Sequence, residues 1–239
     1  MATTWLITRE ADDASEARAN AIRVPCVETT LLPWPWPTLS LSPRGGEGRG
    51  EGVTLFTSRR AVAAWIAAAK PPLGEVAALS PSTSEKLKQE GITPALTSEG
   101  GVIALANEIL AWWTARGRPP LHLRYPTSDH GLRSPEQAEA ARLLAKLGEL
   151  DRRLAYEITA PAGLRESLER SAQGDWAISF ASPSAVHHFF AAGAVFSRAP
   201  SSIACLGAST ERSWNSARPR GWPQAVNTRA ALPNPEVTT

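Results

Sequence analysis

The sequence predicts an α/β fold: two similar parallel-sheet α/β domains with a cleft between them. Three observations lead there. Short apolar runs alternate with helical patterns from end to end, as in α/β units that share a parallel sheet. One strand–turn–helix plan occurs twice. The length, 239 residues, suits two small domains.

The expected strands are 5–8, 24–29, 53–57, 76–80, 121–125, 153–159, 177–181 and 203–207. Helices fill the gaps. Val62, Trp65, Ile66 and Ala69 recur at helical spacing after Ser58. Val102, Leu105, Ala106, Ile109, Leu110 and Trp113 do the same, with Gly117 as a stop. Residues 137–147 form a third helix, ended by Gly148. Val186, Phe189 and Phe190 mark a fourth, with Ser182 as N-cap and Pro183 in the first turn. The stretch PWPWPTLSLSPRGGEGRGEG (33–52) breaks the pattern and reads as an exposed loop near a domain crossing.

The repetition is specific. LFTSRRAVAAWIAAA (55–69) resembles SFASPSAVHHFFAAG (179–193). VAALSPSTSEKL (76–87) resembles IACLGASTERSW (203–214). More loosely, WLITRE (5–10) resembles HLRYPT (122–127). Two similar lobes imply a cleft, which is a usual place for a ligand.

Composition narrows the function. Hydrophobic residues make up 43%, enough for a real core. A net charge of +2 argues against nucleic-acid binding by bulk electrostatics but allows a local basic cleft for an acidic small molecule. No apolar run approaches a membrane span, and MATTWLITREADD lacks the pattern of a signal peptide. A soluble cytoplasmic protein is expected. Cys26 and Cys205 lie in apolar runs and read as buried reduced thiols. No Cys/His spacing suits zinc. His187 and His188 are adjacent on a helix and point apart, while His122 and His130 stand alone, so no metal is expected. Nucleophile elbow, Walker and dinucleotide motifs are absent, and no cofactor is expected.

The chemistry is expected at the strand-to-helix turns. Ser58, Thr83, Ser182 or Ser184, and Thr210 fall there, where free N–H groups and the helix dipole favour anions such as carboxylates. In open parallel sheets such turns gather along the carboxyl edge. Arg9, Arg59, Arg60 and Arg124 sit at the same turns and can pair with carboxylates. Each hydroxyl is also an ordinary N-cap candidate, and the two roles are compatible.

In order and spacing, these segments resemble the uroporphyrinogen-III synthase family. The residues that carry the resemblance are LITRE, ETTLLPWPWP, LFTSRRAV, LSPSTSEKLKQEGI, TSEGGVIALANEI, LAYEITAP, SFASPSAV and CLGAST. The resemblance implies two α/β domains joined by two extended linkers. The first would be discontinuous, 1–33 plus 160–239, the second 38–152, and the linkers 34–37 and 153–159. It implies cyclisation of hydroxymethylbilane, a linear tetrapyrrole with eight carboxylates, to uroporphyrinogen III in haem biosynthesis. Water is lost and ring D is inverted through a spiro intermediate. The main task is to hold a flexible chain in one reactive geometry.

Carried over residue by residue, Thr57, Ser58 and Thr83 of the second domain and Ser182, Ser184 and Thr210 of the first are substrate contacts. Arg9, Arg59 and Arg124 join them as carboxylate partners. Tyr156 matches the family's linker tyrosine, whose neutral phenol would help the hydroxyl depart; a side chain packing in the linker is the other reading. The implied protein is a monomer without cofactor or metal, meeting its small-molecule substrate and, transiently, the preceding pathway enzyme. Neither nucleic acid nor membrane is a partner. Ser80 stands where the family has Gly, Ile158 where a Thr is common, and the tail after Thr210 is Pro-rich, with Pro233 and Pro235 opposing a closing helix. These departures motivate the alternative, a non-catalytic two-lobed relative that binds a tetrapyrrole or another anion. A receptor for small acids is a third reading, opposed by the missing signal peptide.

Overall fold

The computed structural model describes residues 3–8, 20–33, 52–69, 74–117 and 120–227. In chain order the strands are β1 (Thr4–Ile7), β2 (Ala21–Arg23), β3 (Glu28–Leu31), β4 (Gly52–Phe56), β5 (Glu75–Leu79), β6 (Leu96–Ser98), β7 (Leu121–Ser128), β8 (Gly148–Thr159), β9 (Trp176–Phe180), β10 (Ser202–Cys205) and β11 (Val226–Asn227). The helices are α1 (Arg59–Ala67), α2 (Ser82–Gln89), α3 (Val102–Ala115), α4 (Asp129–Arg133), α5 (Pro135–Leu144), α6 (Leu164–Ser171), α7 (Pro183–Ala191) and α8 (Ala208–Ala217). Among the described residues no helix is long and apolar enough to cross a membrane.

The chain divides into two compact units, Met1–Glu28 with Ile158–Thr239, and Thr29–Glu157. In the first, five strands lie in the order β11-β10-β9-β1-β2, each pair parallel. The central strand β9, WAISF, is buried at every position, as a parallel strand covered on both faces should be. Beside it, rings of Phe180, Phe189, Trp214 and Trp222 pack edge-on and tilted at centroid distances of 5.3–6.4 Å. The Trp214 indole donates to the Pro223 carbonyl, so its N–H is satisfied within this packing.

In the second unit the order is β3-β8-β7-β4-β5-β6, with β4 to β8 running parallel. One face of this sheet, including Val53, Leu55, Leu123 and Tyr125, packs with Leu105, Ile109 and Trp113 of α3 and Leu144 of α5. On β4, Phe56 meets Trp65 of α1 edge-on at 6.4 Å.

The repeated segments occupy equivalent places. The β4–α1 and β9–α7 turns each end on a serine that caps the helix in nearly the same backbone conformation, Ser58 at φ −156° and Ser182 at φ −154°. β5–α2 and β10–α8 lie one strand further out on the same side. β1 flanks β9 as β7 flanks β4, so the loosest of the three sequence pairs also matches in position.

Some expected boundaries shift. The run 24–29 is not one strand. β2 ends before it and β3 takes its last two residues, while Val24, Cys26 and Val27 are buried between the two strands, the Val24 and Cys26 N–H groups still donating to the Ile7 and Thr8 carbonyls at the end of β1. Residues 153–159 are extended as expected and form the end of a longer strand, β8, and the division falls after Glu28 because β3 pairs with β8. Two short strands, β6 and β11, and helix α6 go beyond the sequence reading; α6 is a short helix whose apolar side is carried by Leu164 and Leu168. The linker 34–37, almost all of the 33–52 loop, and Pro233 and Pro235 lie outside the described residues.

Candidate active site

In the second unit the strand order reverses between β4 and β7, which neighbour each other although two strands intervene in sequence. Their carboxyl ends splay the following segments apart, the usual position of a ligand crevice in an open α/β sheet. Thr57 and Ser58 leave β4 there, and Ser128 ends β7.

Ser58 caps α1: its Oγ accepts from the Arg60 N–H at 3.0 Å. The same Oγ accepts the Tyr156 hydroxyl at 2.9 Å. Tyr156 reaches it because of an irregularity in β8. Thr127 pairs with Leu154 but Ser128 pairs with Tyr156, so Ala155 is an extra residue. Side chains alternate along a strand, and one inserted residue moves all later ones to the other face. Tyr156 thereby joins Ser128 and Ser58 instead of continuing behind Leu154.

Tyr156 is 5% exposed. Burial raises its pKa, while the Ser58 hydrogen bond, the Arg60 cation and the Ser128 hydroxyl hold it back in part. It is therefore a neutral phenol at physiological pH, able to donate. Arg60 is itself placed by Thr29 of β3, whose Oγ1 accepts from its Nε at 2.7 Å.

The turn after β7 is braced. Ser128 Oγ accepts from the Gly131 N–H, Thr127 donates to Gln137 at 2.8 Å, and Arg152 donates to the Gly131 carbonyl. A side chain at Gly131 would run into Thr127 and Gln137. Behind this turn stands Tyr125, fully buried, with the Arg152 guanidinium over its ring at 5.5 Å. Burial pushes the Tyr125 hydroxyl up to about 12, against the pull of the Thr57 side chain and Arg152.

Of the residues the sequence singles out, Ser58 and Tyr156 meet directly, with Thr57 adjacent. Thr83 lies buried in the first turn of α2, after the neighbouring strand β5. Arg59 is exposed at the start of α1. Arg124 is not at a turn. It sits within β7 opposite Thr54 and Asp151, because β7 runs on through Pro126 to Ser128. In the first unit Ser182 Oγ accepts from the Ala185 N–H at 3.2 Å, Ser184 is half-buried two residues on, and Thr210 is buried in the first turn of α8. These turns follow the adjacent strands β9 and β10. Arg9 lies outside the described residues.

Sequence reasoning missed Ser128 and Tyr125. The signal for Ser128 was a serine just before DHGLR, an N-cap pattern hidden by ending the strand too early. Among the described residues no group of three His, Cys, Asp or Glu is placed to hold a metal ion. His188 is buried with its Nδ1 2.9 Å from the Cys26 carbonyl.

Comparison with known proteins agrees with this architecture. A mutant uroporphyrinogen III synthase from the extremely thermophilic bacterium Thermus thermophilus is 17% identical, with a TM-score of 0.54 over 95% of this chain and 93% of its own. The wild-type enzyme of that organism, in another crystal form, aligns at 14% identity and a TM-score of 0.43, over 95% of this chain and 92% of its own. No curated protein matches the chain. The family model described as Uroporphyrinogen-III synthase HemD matches residues 10–227. That match takes in β2 to β11 and both sets of capped turns, and on it the chain belongs to the uroporphyrinogen-III synthase family.

Proposed function

We propose that the protein cyclises hydroxymethylbilane to uroporphyrinogen III, with loss of water and inversion of ring D. The observation that carries this beyond family membership is the Tyr156–Ser58 hydroxyl pair, 2.9 Å apart at the reversal point of the sheet. The substrate's hydroxyl leaves with its bonding electrons, and the pyrrole N–H proton completes the water. The azafulvene left behind is attacked by ring D at its substituted carbon, giving the spiro intermediate that rearranges and closes inverted. Tyr156 turns the one O–H it gives to Ser58 in the free protein toward the departing oxygen and donates there instead. Its raised pKa suits donation without full proton transfer, because a buried phenolate would be costly.

The remaining groups anchor carboxylates. Thr57, Ser58, Arg59 and Thr83 serve in the second unit, and Ser182, Ser184 and Thr210 in the first, with Arg9 and Arg124 as further cationic partners. Helix N-termini behind these hydroxyls favour the anions. The protein acts as a cytoplasmic monomer, in transient contact with the enzyme that supplies the bilane.

The test is turnover of hydroxymethylbilane with isomer analysis of the product. The type III isomer is expected, with chelator present and no nucleotide added. Folded protein that leaves the product as type I would refute the assignment and favour a binding relative.

A further inference from the structure

The phenol of Tyr125 has no part in the chemistry above. The chain has two tyrosines, and both belong to this edge of the second unit. Tyr125 is 0% exposed; the Thr57 side chain lies near enough to pull on its hydroxyl, but no hydrogen bond of proper geometry is closed to it. Buried hydroxyls almost always have one, and leaving one bare is costly.

The register of the sheet points to the missing partner. β4 and β7 run parallel, with Thr54 opposite Arg124. Val53 and Leu55 share the α3 face of the sheet with Tyr125. Side chains alternate along a strand, so Thr57 continues that face, diagonal to Tyr125 and within reach of a long side chain. Thr57 is half-buried and precedes Ser58, the partner of Tyr156. It stands between a sealed phenol and the open end of the sheet. A threonine hydroxyl has one proton to give and two lone pairs. It can accept from Tyr125 while donating outward, and a hydroxyl that accepts is the stronger donor for it.

We infer that Tyr125 is a positioning residue for carboxylate binding, its buried O–H donating to the Thr57 hydroxyl once a substrate carboxylate has turned that hydroxyl outward. Binding then gives the phenol its partner, and Tyr125 acts on a substrate it never touches. Arg152, over the ring and bonded to the Gly131 carbonyl, keeps the phenol aimed. The inference rests on reading this edge as a site for the polycarboxylate hydroxymethylbilane.

The experiment uses the full chain, with Tyr125→Phe, Thr57→Val and the double variant. Melting temperature is measured, together with affinity for uroporphyrin III, the oxidised octacarboxylate form of the product, and KM and kcat for hydroxymethylbilane. Tyr125→Phe should melt no lower than wild type, since the hydroxyl it removes has no closed hydrogen bond to lose. Its affinity should fall about 3- to 10-fold, the worth of one hydrogen bond. KM should rise by a similar factor with kcat unchanged. Added to Thr57→Val, the change should cost nothing more, because both remove the same link. Undiminished affinity, additive losses, or a Tyr125→Phe protein that melts lower or does not fold would each overturn the inference while wild type still binds and turns over. Wild type that does neither overturns the site reading and the inference together.

Discussion

Ser58 does two things with one oxygen, capping α1 and accepting the Tyr156 phenol. Its removal should therefore show in stability as well as in rate. Ser58→Ala loses an N-cap, about 1 kcal/mol of stability, and leaves Tyr156 to the Ser128 hydroxyl alone. Tyr156→Phe keeps the ring and its packing, so binding of a product analogue should hold while kcat falls. If the phenol's hydrogen bond to the developing hydroxide is worth about 1.5–3 kcal/mol, kcat should drop roughly 10- to 150-fold. Rate and analogue affinity for both variants decide this. A silent Tyr156→Phe beside an inactive Ser58→Ala would move the catalytic role to the serine. Tyr156 was legible by its place in LAYEITAP. Its partner was not, because Ser58 and Tyr156 are 98 positions apart in sequence and no local pattern links them.

At the scale of elements, most of the strand–helix alternation could be read, since it depends on local periodicity and capping. Ser58, Ser182 and Pro183 fall where the caps were expected, and α3 ends beside Gly117 as its spacing predicted. The misreadings lie at the ends of elements. Residues 24–27 have a strand's apolar composition, and Val24 and Cys26 still donate to the end of β1, but no regular ladder runs through them. The end of β7 was lost because Pro126, Thr127 and Ser128 have the composition of a turn while being held in register with β8. Gly148, expected as a helix stop, also begins β8 at φ 150°, where an added Cβ would press into the Leu121 backbone. The neighbour is a paired strand that cannot give way. Gly148→Ala should cost roughly 3 kcal/mol or more, against about 1 kcal/mol for the lost cap in Ser182→Ala. Chemical denaturation measures both, and a near-neutral Gly148→Ala would show that the β7–β8 start relaxes easily.

For the whole molecule, burial of weak acids sets an alkaline limit. Cys26 and Cys205 are pushed up from 9.0 to about 12, chiefly by burial, and Tyr125 from 10.0 to about 12. Each folded pKa lies above its unfolded value. The unfolded chain therefore loses these protons first as pH rises, and stability falls across the interval. Denaturation midpoints should hold steady up to about pH 9 and decline between about pH 9 and about pH 12. Cys26→Ala should flatten the first part of that decline. An unchanged slope would mean the thiol is more solvated than its burial implies.

What the sequence determined by itself is what local chemistry can carry: the α/β class, the repeated strand–turn–helix plan, and serines and threonines placed at helix starts. These arise from apolar period, capping residues and turn residues within a few positions of one another. Tertiary structure alone decided the rest. It set β7 beside β4 and so put the reversal point at Thr57, Ser58 and Ser128. It inserted Ala155 as an extra residue that turned Tyr156 to their side. It moved Arg124 away from the turns into a strand, and sealed a second phenol behind Thr57. Strand order, register and the facing of side chains depend on contacts between residues far apart in the chain, and periodicity within any one segment is the same whichever neighbours that segment finds.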